Sequence, residues 1–196
     1  GSSKIKEITK RAKELGMDSL AITDHGVMYG VIDFYRAALA NGIKPIIGCE
    51  VYVAPHSRFD KENNPGDDRY YHLILLAENN TGYQNLCRIV SKGFVEGFYY
   101  KPRVDYEVLE KFSEGIICLS ACLAGEVQRY LTKGEYEKAK EAALRHVNIF
   151  GKTLEQLVDD GISGKVTKIN DDSQEKLQNA MEKIVNESSG GLICII

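Results

Sequence analysis

Apolar residues along the first 150 positions switch between helical spacing and short unbroken runs, and that switching predicts the order of elements. Ile5, Ile8, Ala12 and Leu15 recur at helical spacing with charges between them, and Gly16 supplies a stop, so residues 3–15 read as a helix. A short strand over 20–23 runs into Asp24, His25 and Gly26. A second helix is expected over 31–40, closed by Asn41 and Gly42, and a strand-like run over 44–54 carries a single acid, Glu50. Residues 55–69 are charged, hold two prolines and show no periodicity, which marks a surface excursion. The pattern resumes with a strand over 71–77 and a helix from 81 or 82 to about 92, with Tyr83, Leu86, Ile89 and Val90 on one face. Residues 93–103 are aromatic and basic around Pro102 and read as a loop. A short helix over 105–111, a strand over 115–120 and helices over 125–131 and 135–150 follow. Alternating helices and strands with short connections argue for a largely parallel sheet. From residue 153 the chain turns polar, then predicts a helix over 173–186 and an apolar run over 192–196. The expected division is therefore 1–152 and a helix-plus-strand tail, 153–196.

Composition changes this picture little. A chain of 196 residues, 43% hydrophobic and 27% charged, suits one soluble domain, or one with a small appendage. The formal net charge of −3 gives the chain no bulk electrostatic reason to grip nucleic acid. No apolar run is long enough to span a bilayer, and the start carries no signal-peptide pattern. The five cysteines are odd in number and mostly sit in apolar runs, the usage of reduced thiols in a cytoplasmic protein.

Candidate chemistry gathers where strand-like segments meet loops: Asp24 and His25, Glu50, His72 and Cys122. Imidazole, carboxylate and thiolate together suit zinc, manganese or iron better than magnesium. Each residue also has a plain alternative. Asp24 before Gly26 is ordinary turn chemistry, Glu50 fits an exposed edge strand, and Cys122 fits a small buried apolar residue. His72 opens its strand instead of closing it, the wrong end for a simple strand-terminus site. His56 lies in a polar loop and His146 on a charged helix, so both read as solvated. In the 94–103 stretch, Tyr99, Lys101 and Arg103 offer contacts to nucleic acid or to a protein partner, with packing beneath the loop as the favoured reading. No glycine pattern forms a phosphate cradle, and no Ser/His/Asp triad can be assembled.

Six segments in order give the chain a resemblance. Leu20-Ala-Ile-Thr-Asp-His-Gly26, Gly42-Ile-Lys-Pro-Ile-Ile-Gly-Cys-Glu-Val-Tyr-Val53 and Tyr71-His-Leu-Ile-Leu-Leu-Ala77 are the first three. Thr81-Gly-Tyr-Gln-Asn-Leu86, Glu96-Gly-Phe-Tyr-Tyr-Lys-Pro-Arg-Val-Asp105 and Leu119-Ser-Ala-Cys-Leu-Ala-Gly-Glu126 complete them. Together they resemble the polymerase-and-histidinol-phosphatase (PHP) domain, in the version found at the N-terminus of bacterial replicative DNA polymerases. The resemblance covers residues 1 to about 152 and leaves the tail unmatched.

The resemblance implies an α/β fold, a distorted (β/α)7 barrel related to the TIM barrel. Here it would be partial, without its first strand and closing strands. His25, Glu50, His72 and Cys122 then fall on metal-ligand positions, and Asp24 on a neighbour that orients the site. The implied cofactors are divalent metal ions, zinc or manganese foremost, assisting attack of water on a phosphate ester or at a DNA 3′ end. The family's His-x-His strand, an Asp and a closing Asp-x-His motif have no counterpart here, so the expectation is a half-built site without competent phosphoesterase activity. The implied partners are the remainder of the polymerase chain, its thumb region in particular, and the proofreading subunit. DNA enters only as part of the full polymerase, and no membrane is involved. Two alternatives stand beside this reading: a non-catalytic scaffold module, and a free-standing phosphoesterase. A further expectation is that the run 192–196 fills an open sheet edge.

Overall fold

The computed structural model describes residues 4–62 and 68–151. The expected helix over 173–186, the run over 192–196 and the edge it was expected to fill lie outside the described residues.

Helices and strands fall close to where the apolar spacing put them. They are α1 (Ile5–Glu14), β1 (Ser19–His25), α2 (Val31–Ala40), β2 (Lys44–Val53), β3 (Tyr71–Ala77) and α3 (Asn80–Val95). Then come β4 (Phe98–Tyr99), β5 (Lys101–Val104), α4 (Tyr106–Lys111), β6 (Ile116–Leu119), α5 (Glu126–Thr132) and α6 (Tyr136–Phe150). Local chemistry accounts for several boundaries. Asn79 caps α3 by accepting the Gly82 N–H at 2.9 Å, and Asp105 caps α4 by accepting from Val108 at 3.2 Å. The aromatic stretch expected to be a loop is instead the end of α3 followed by the β4–β5 hairpin. Pro102 is tolerated there because it pairs only with Phe98 on the short β4.

The sheet is mixed, not largely parallel. Its order is β4-β5-β2-β3-β6, with β1 also on β2. β2 runs parallel to β1 and to β5 but antiparallel to β3, and β3 is antiparallel to β6. A parallel partner needs a crossover, usually a helix. The 17 residues between Val53 and Tyr71 show no helical periodicity in sequence, and none of those described is helical, so the chain returns beside β2 in the opposite direction.

Strand parity then sorts the side chains. Cys49, Val51 and Val53 of β2 share a face with Tyr71, Leu73 and Leu75 of β3. They bury against Leu86 and Ile89 of α3 and Val108 and Leu109 of α4. Leu75, Leu86, Ile89 and Leu109 are fully buried, each contributing about 1.5–3 kcal/mol by its removal from water. Glu50, Tyr52 and His72 project from the other face. Two smaller clusters complete the packing, Ala12, Ala38 and Ile43 between α1 and α2, and Val127, Ala139, Ala142 and Ala143 between α5 and α6.

Candidate functional site

The antiparallel return brings His72 to the site. In the parallel pair His25 lies opposite Glu50, and in the antiparallel pair His72 lies opposite Tyr52. The start of β3 therefore sits beside the end of β2, and a residue that opens its strand reaches the same lip as one that closes another. His25 Nδ1 lies 2.8 Å from Glu50 Oε1, and His72 Nδ1 lies 2.9 Å from the same oxygen. Cys122 Sγ is 3.6 Å from His72 Nδ1. The four residues are thus neighbours although 97 positions separate the first from the last.

Each is held by its local backbone. Gly26 turns with φ +70°, and a Cβ there would lie 2.7 Å from the Tyr52 ring, so only glycine lets the chain leave β1 at this point. The Cys122 turn is stitched to β3: the His72 N–H donates to Ala124 O at 3.0 Å, and the Gly125 N–H donates to Cys122 O at 2.7 Å. Beneath that turn Gln128 Nε2 donates to Ser120 Oγ at 3.0 Å. Ala121 takes φ +64° within it, a strained conformation for a residue with a side chain.

Glu50 is buried in a central strand, not exposed on an edge, whereas Cys122 is exposed in its turn and not a buried apolar residue. The His25 side chain is 70% exposed and that of His72 only 21%. Burial lowers the His72 imidazole below its ordinary value. Glu50 opposes this, while His25, Arg129 and Lys101 add to the lowering. Each imidazole donates to Glu50 when its proton sits on Nδ1, and with that proton gone the same nitrogen offers a lone pair. The arrangement is not a nucleophilic triad, because Cys122 and Glu50 both face the same nitrogen of His72. Among the described residues, no three or more His, Cys, Asp or Glu side chains are set out as a cage for a metal ion.

Asp24 does not face His25. Its Oδ2 accepts the Gly30 N–H at 3.3 Å ahead of α2, so it fixes the turn that follows His25. Cys49 is buried on the helix-packed face, its thiol pushed up to about 12 mainly by that burial. Arg103 is 4% exposed and bonded to the carbonyls of Gly97 and Asp60, which leaves it no free face for a ligand. Lys101 stands 5.5 Å from the Tyr52 ring, and Tyr99 packs between Tyr100 and Arg103. Packing beneath a loop does not describe the neighbouring rings, since Phe98 is 51% and Tyr100 66% exposed. His56 is exposed, as expected.

His146, expected to be solvated on its charged helix, is instead packed. It is partly buried, with Nε2 3.0 Å from the Tyr106 hydroxyl. Tyr106 also bonds Glu126, and Arg145 meets Glu126 at 3.2 Å. Burial, with Arg145 adding to it, lowers the His146 imidazole to about 4. Arg58, which no motif or spacing singles out, is buried and meets Asp105 at 2.9 and 3.0 Å, Glu96 at 2.7 Å and Glu107 at 3.0 Å.

A mixed α/β sheet thus carries imidazoles, a carboxylate and a thiol at one lip. The chain belongs to the PHP domain family, which it matches over residues 1–156. DNA polymerase III subunit alpha of Treponema pallidum is 50% identical over 151 residues, 77% of this chain and 13% of that protein. The same subunit of Aquifex aeolicus is 45% identical over 159 residues, 79% of this chain and 14% of that protein. The chain thus spans about an eighth of the length of these relatives, and its similarity is to the PHP region of such subunits. Residues 123–196 match a second family, the C-terminal part of sporulation stage IV protein A, so the tail outside the PHP resemblance is similar to something else. Among solved structures, an amidohydrolase from Chromobacterium violaceum with bound sulfate and no metal superposes with TM-score 0.32 and 18% identity, over 76% of this chain and 45% of that one. No described helix is long and apolar enough to cross a membrane.

Proposed function

We infer that residues 1–152 are the PHP module of a cytoplasmic bacterial replicative DNA polymerase, with 153–196 a separate tail. In this reading the module has the architecture of a partial (β/α)7 barrel, and His25, Glu50, His72 and Cys122 are ligands of a divalent metal, zinc or manganese. The observation that carries the reading is the meeting of His25 and His72 on one oxygen of Glu50, with Cys122 beside them.

The donor set fits such an ion, and the spacing fits in part. Zinc bonds of about 2.3 Å to sulfur and 2.0–2.1 Å to nitrogen, at a tetrahedral angle, set the two donors ~3.6 Å apart. Cys122 and His72 already stand at 3.6 Å. The N···O contacts of 2.8 and 2.9 Å are tighter than the separation of two ligands on one ion, about 3.3–3.5 Å by the same arithmetic. Binding therefore asks the imidazoles to give up their protons and draw back about half an ångström. Asp24 keeps the His25 turn in place, and the Gln128–Ser120 bond supports the Cys122 turn. When bound, the ion would supply Lewis acidity toward a phosphate ester. The remainder of the polymerase, its thumb and the proofreading subunit are the proposed partners.

A second reading, a scaffold without catalysis, is favoured by one observation. The donors satisfy one another and no cage stands ready among the described residues. Metal content separates the two. After chelation and reloading with zinc or manganese, the first reading expects about one ion per chain, with uptake lost in Glu50→Gln and weakened in Cys122→Ser. No uptake by the unaltered chain would leave only the scaffold.

A further inference from the structure

Tyr100 occupies the turn of the β4–β5 hairpin, between the paired residues Tyr99 and Lys101. Its φ is +59°, a left-handed conformation in which a residue with a Cβ is strained and glycine is not. The ring is not repaid by burial, since the residue is 66% exposed. A strained position that holds a large exposed ring instead of glycine points to use of the ring itself.

The surroundings define that use. The guanidinium of Arg69 lies 5.3 Å from the Tyr100 ring centroid, and Tyr99 braces the ring edge-on at 4.7 Å. Next along the chain, Lys101 stands 5.5 Å from the Tyr52 ring, which packs 5.4 Å from His72. Tyr70 follows Arg69 and stacks on His72 with ring planes 8° apart and centroids 5.9 Å apart. Rings and cations thus alternate from the hairpin turn to the lip where His25 and His72 meet Glu50. Among the described residues the nearby acids do not cancel this row: Asp68 pairs with Lys133 at 2.9 Å and lies 3.8 Å from Arg129, while Glu50 is taken by the imidazoles.

An exposed aromatic face next to exposed cations is what an unpaired nucleotide needs, a surface for its base and charge for its phosphate. We propose that Tyr100, Arg69 and Lys101 form a binding lip for single-stranded nucleic acid, with a base stacked on Tyr100 and the adjoining phosphate held by Lys101. Directing that phosphate toward His72 rests on the phosphate-ester reading above, whereas the base contact does not. With a net charge of −3, the affinity comes from this local row and not from the bulk charge of the chain.

The test uses the whole chain and a short labelled oligothymidylate in EDTA, so that it is independent of metal. Tyr100→Gly relieves the strain and should keep or raise thermal stability while weakening binding about tenfold. Lys101→Gln should lower the slope of log affinity against log salt by about 0.7, the signature of one lost phosphate contact. The chain has no tryptophan, so Tyr100→Trp creates a unique fluorophore whose emission should be quenched as the oligonucleotide saturates. Affinity unchanged in Tyr100→Gly, or Tyr100→Trp emission unmoved at saturation, would overturn the proposal. Absence of metal uptake with binding intact would sink the metal reading and leave the lip standing.

Discussion

Glu50 and Arg58 are buried charges only a few residues apart on the way out of β2, yet their partners differ in kind. Arg58 faces Asp105, Glu96 and Glu107, ions of fixed opposite charge. Burial works against its charge, but the bonds to these carboxylates outweigh that and hold its pKa above the ordinary value. Asp105 also accepts the Arg58 N–H at 2.9 Å, so the excursion after β2 is fastened to the start of α4. Glu50 faces two imidazoles that can surrender a proton, one of them open to solvent. A buried charge with fixed partners anchors a fold, whereas one with exchangeable partners leaves room for a ligand.

Removing the buried guanidinium should cost the fold most. Arg58→Ala strands Asp105 without a counter-charge and should cost about 3–5 kcal/mol in denaturant unfolding. Glu50→Gln keeps an oxygen that both imidazoles can use and should change stability by less than about 1 kcal/mol. Equal losses from the two variants would erase the distinction drawn here.

Why one of these sites was readable in sequence and the other was not follows from chemistry. His25, Glu50, His72 and Cys122 stand out because their side chains are donors of unusual type on otherwise apolar segments. Arg58 is one charge in a charged stretch, and nothing local separates it from solvated neighbours such as Lys61. Helix and strand limits were legible because apolar spacing encodes them, with α2 and β3 falling on the expected residues. Strand direction was not, since a run such as 71–77 has the same alternation in either sense. The one available signal was the lack of helical periodicity between β2 and β3, which argues against a crossover. That single feature also decides whether His72 lies at the site or at the far end of the sheet.

A third cluster, Tyr106, Glu126, Arg145 and His146, should respond to pH by a smaller amount. His146 is held below its unfolded value, so the unfolded chain binds the proton more readily. Its contribution is complete above about pH 6.5 and is lost as pH falls toward about 4, on the order of 1–3 kcal/mol. Denaturant unfolding at stepped pH should show this fall, and His146→Gln should flatten it over that window. A variant with an unaltered pH profile would place the titration elsewhere.

Whether residues far apart in sequence form one ligand set is decided by titrating cobalt(II) into the metal-free chain and reading its absorption. Thiolate ligation produces a sulfur-to-cobalt charge-transfer band in the near ultraviolet. This band is expected at about one cobalt per chain, abolished in Cys122→Ser and in Glu50→Gln and weakened in His72→Gln, all three variants remaining folded. A band that survives Cys122→Ser, or no band in the unaltered chain, would contradict a shared ligand set.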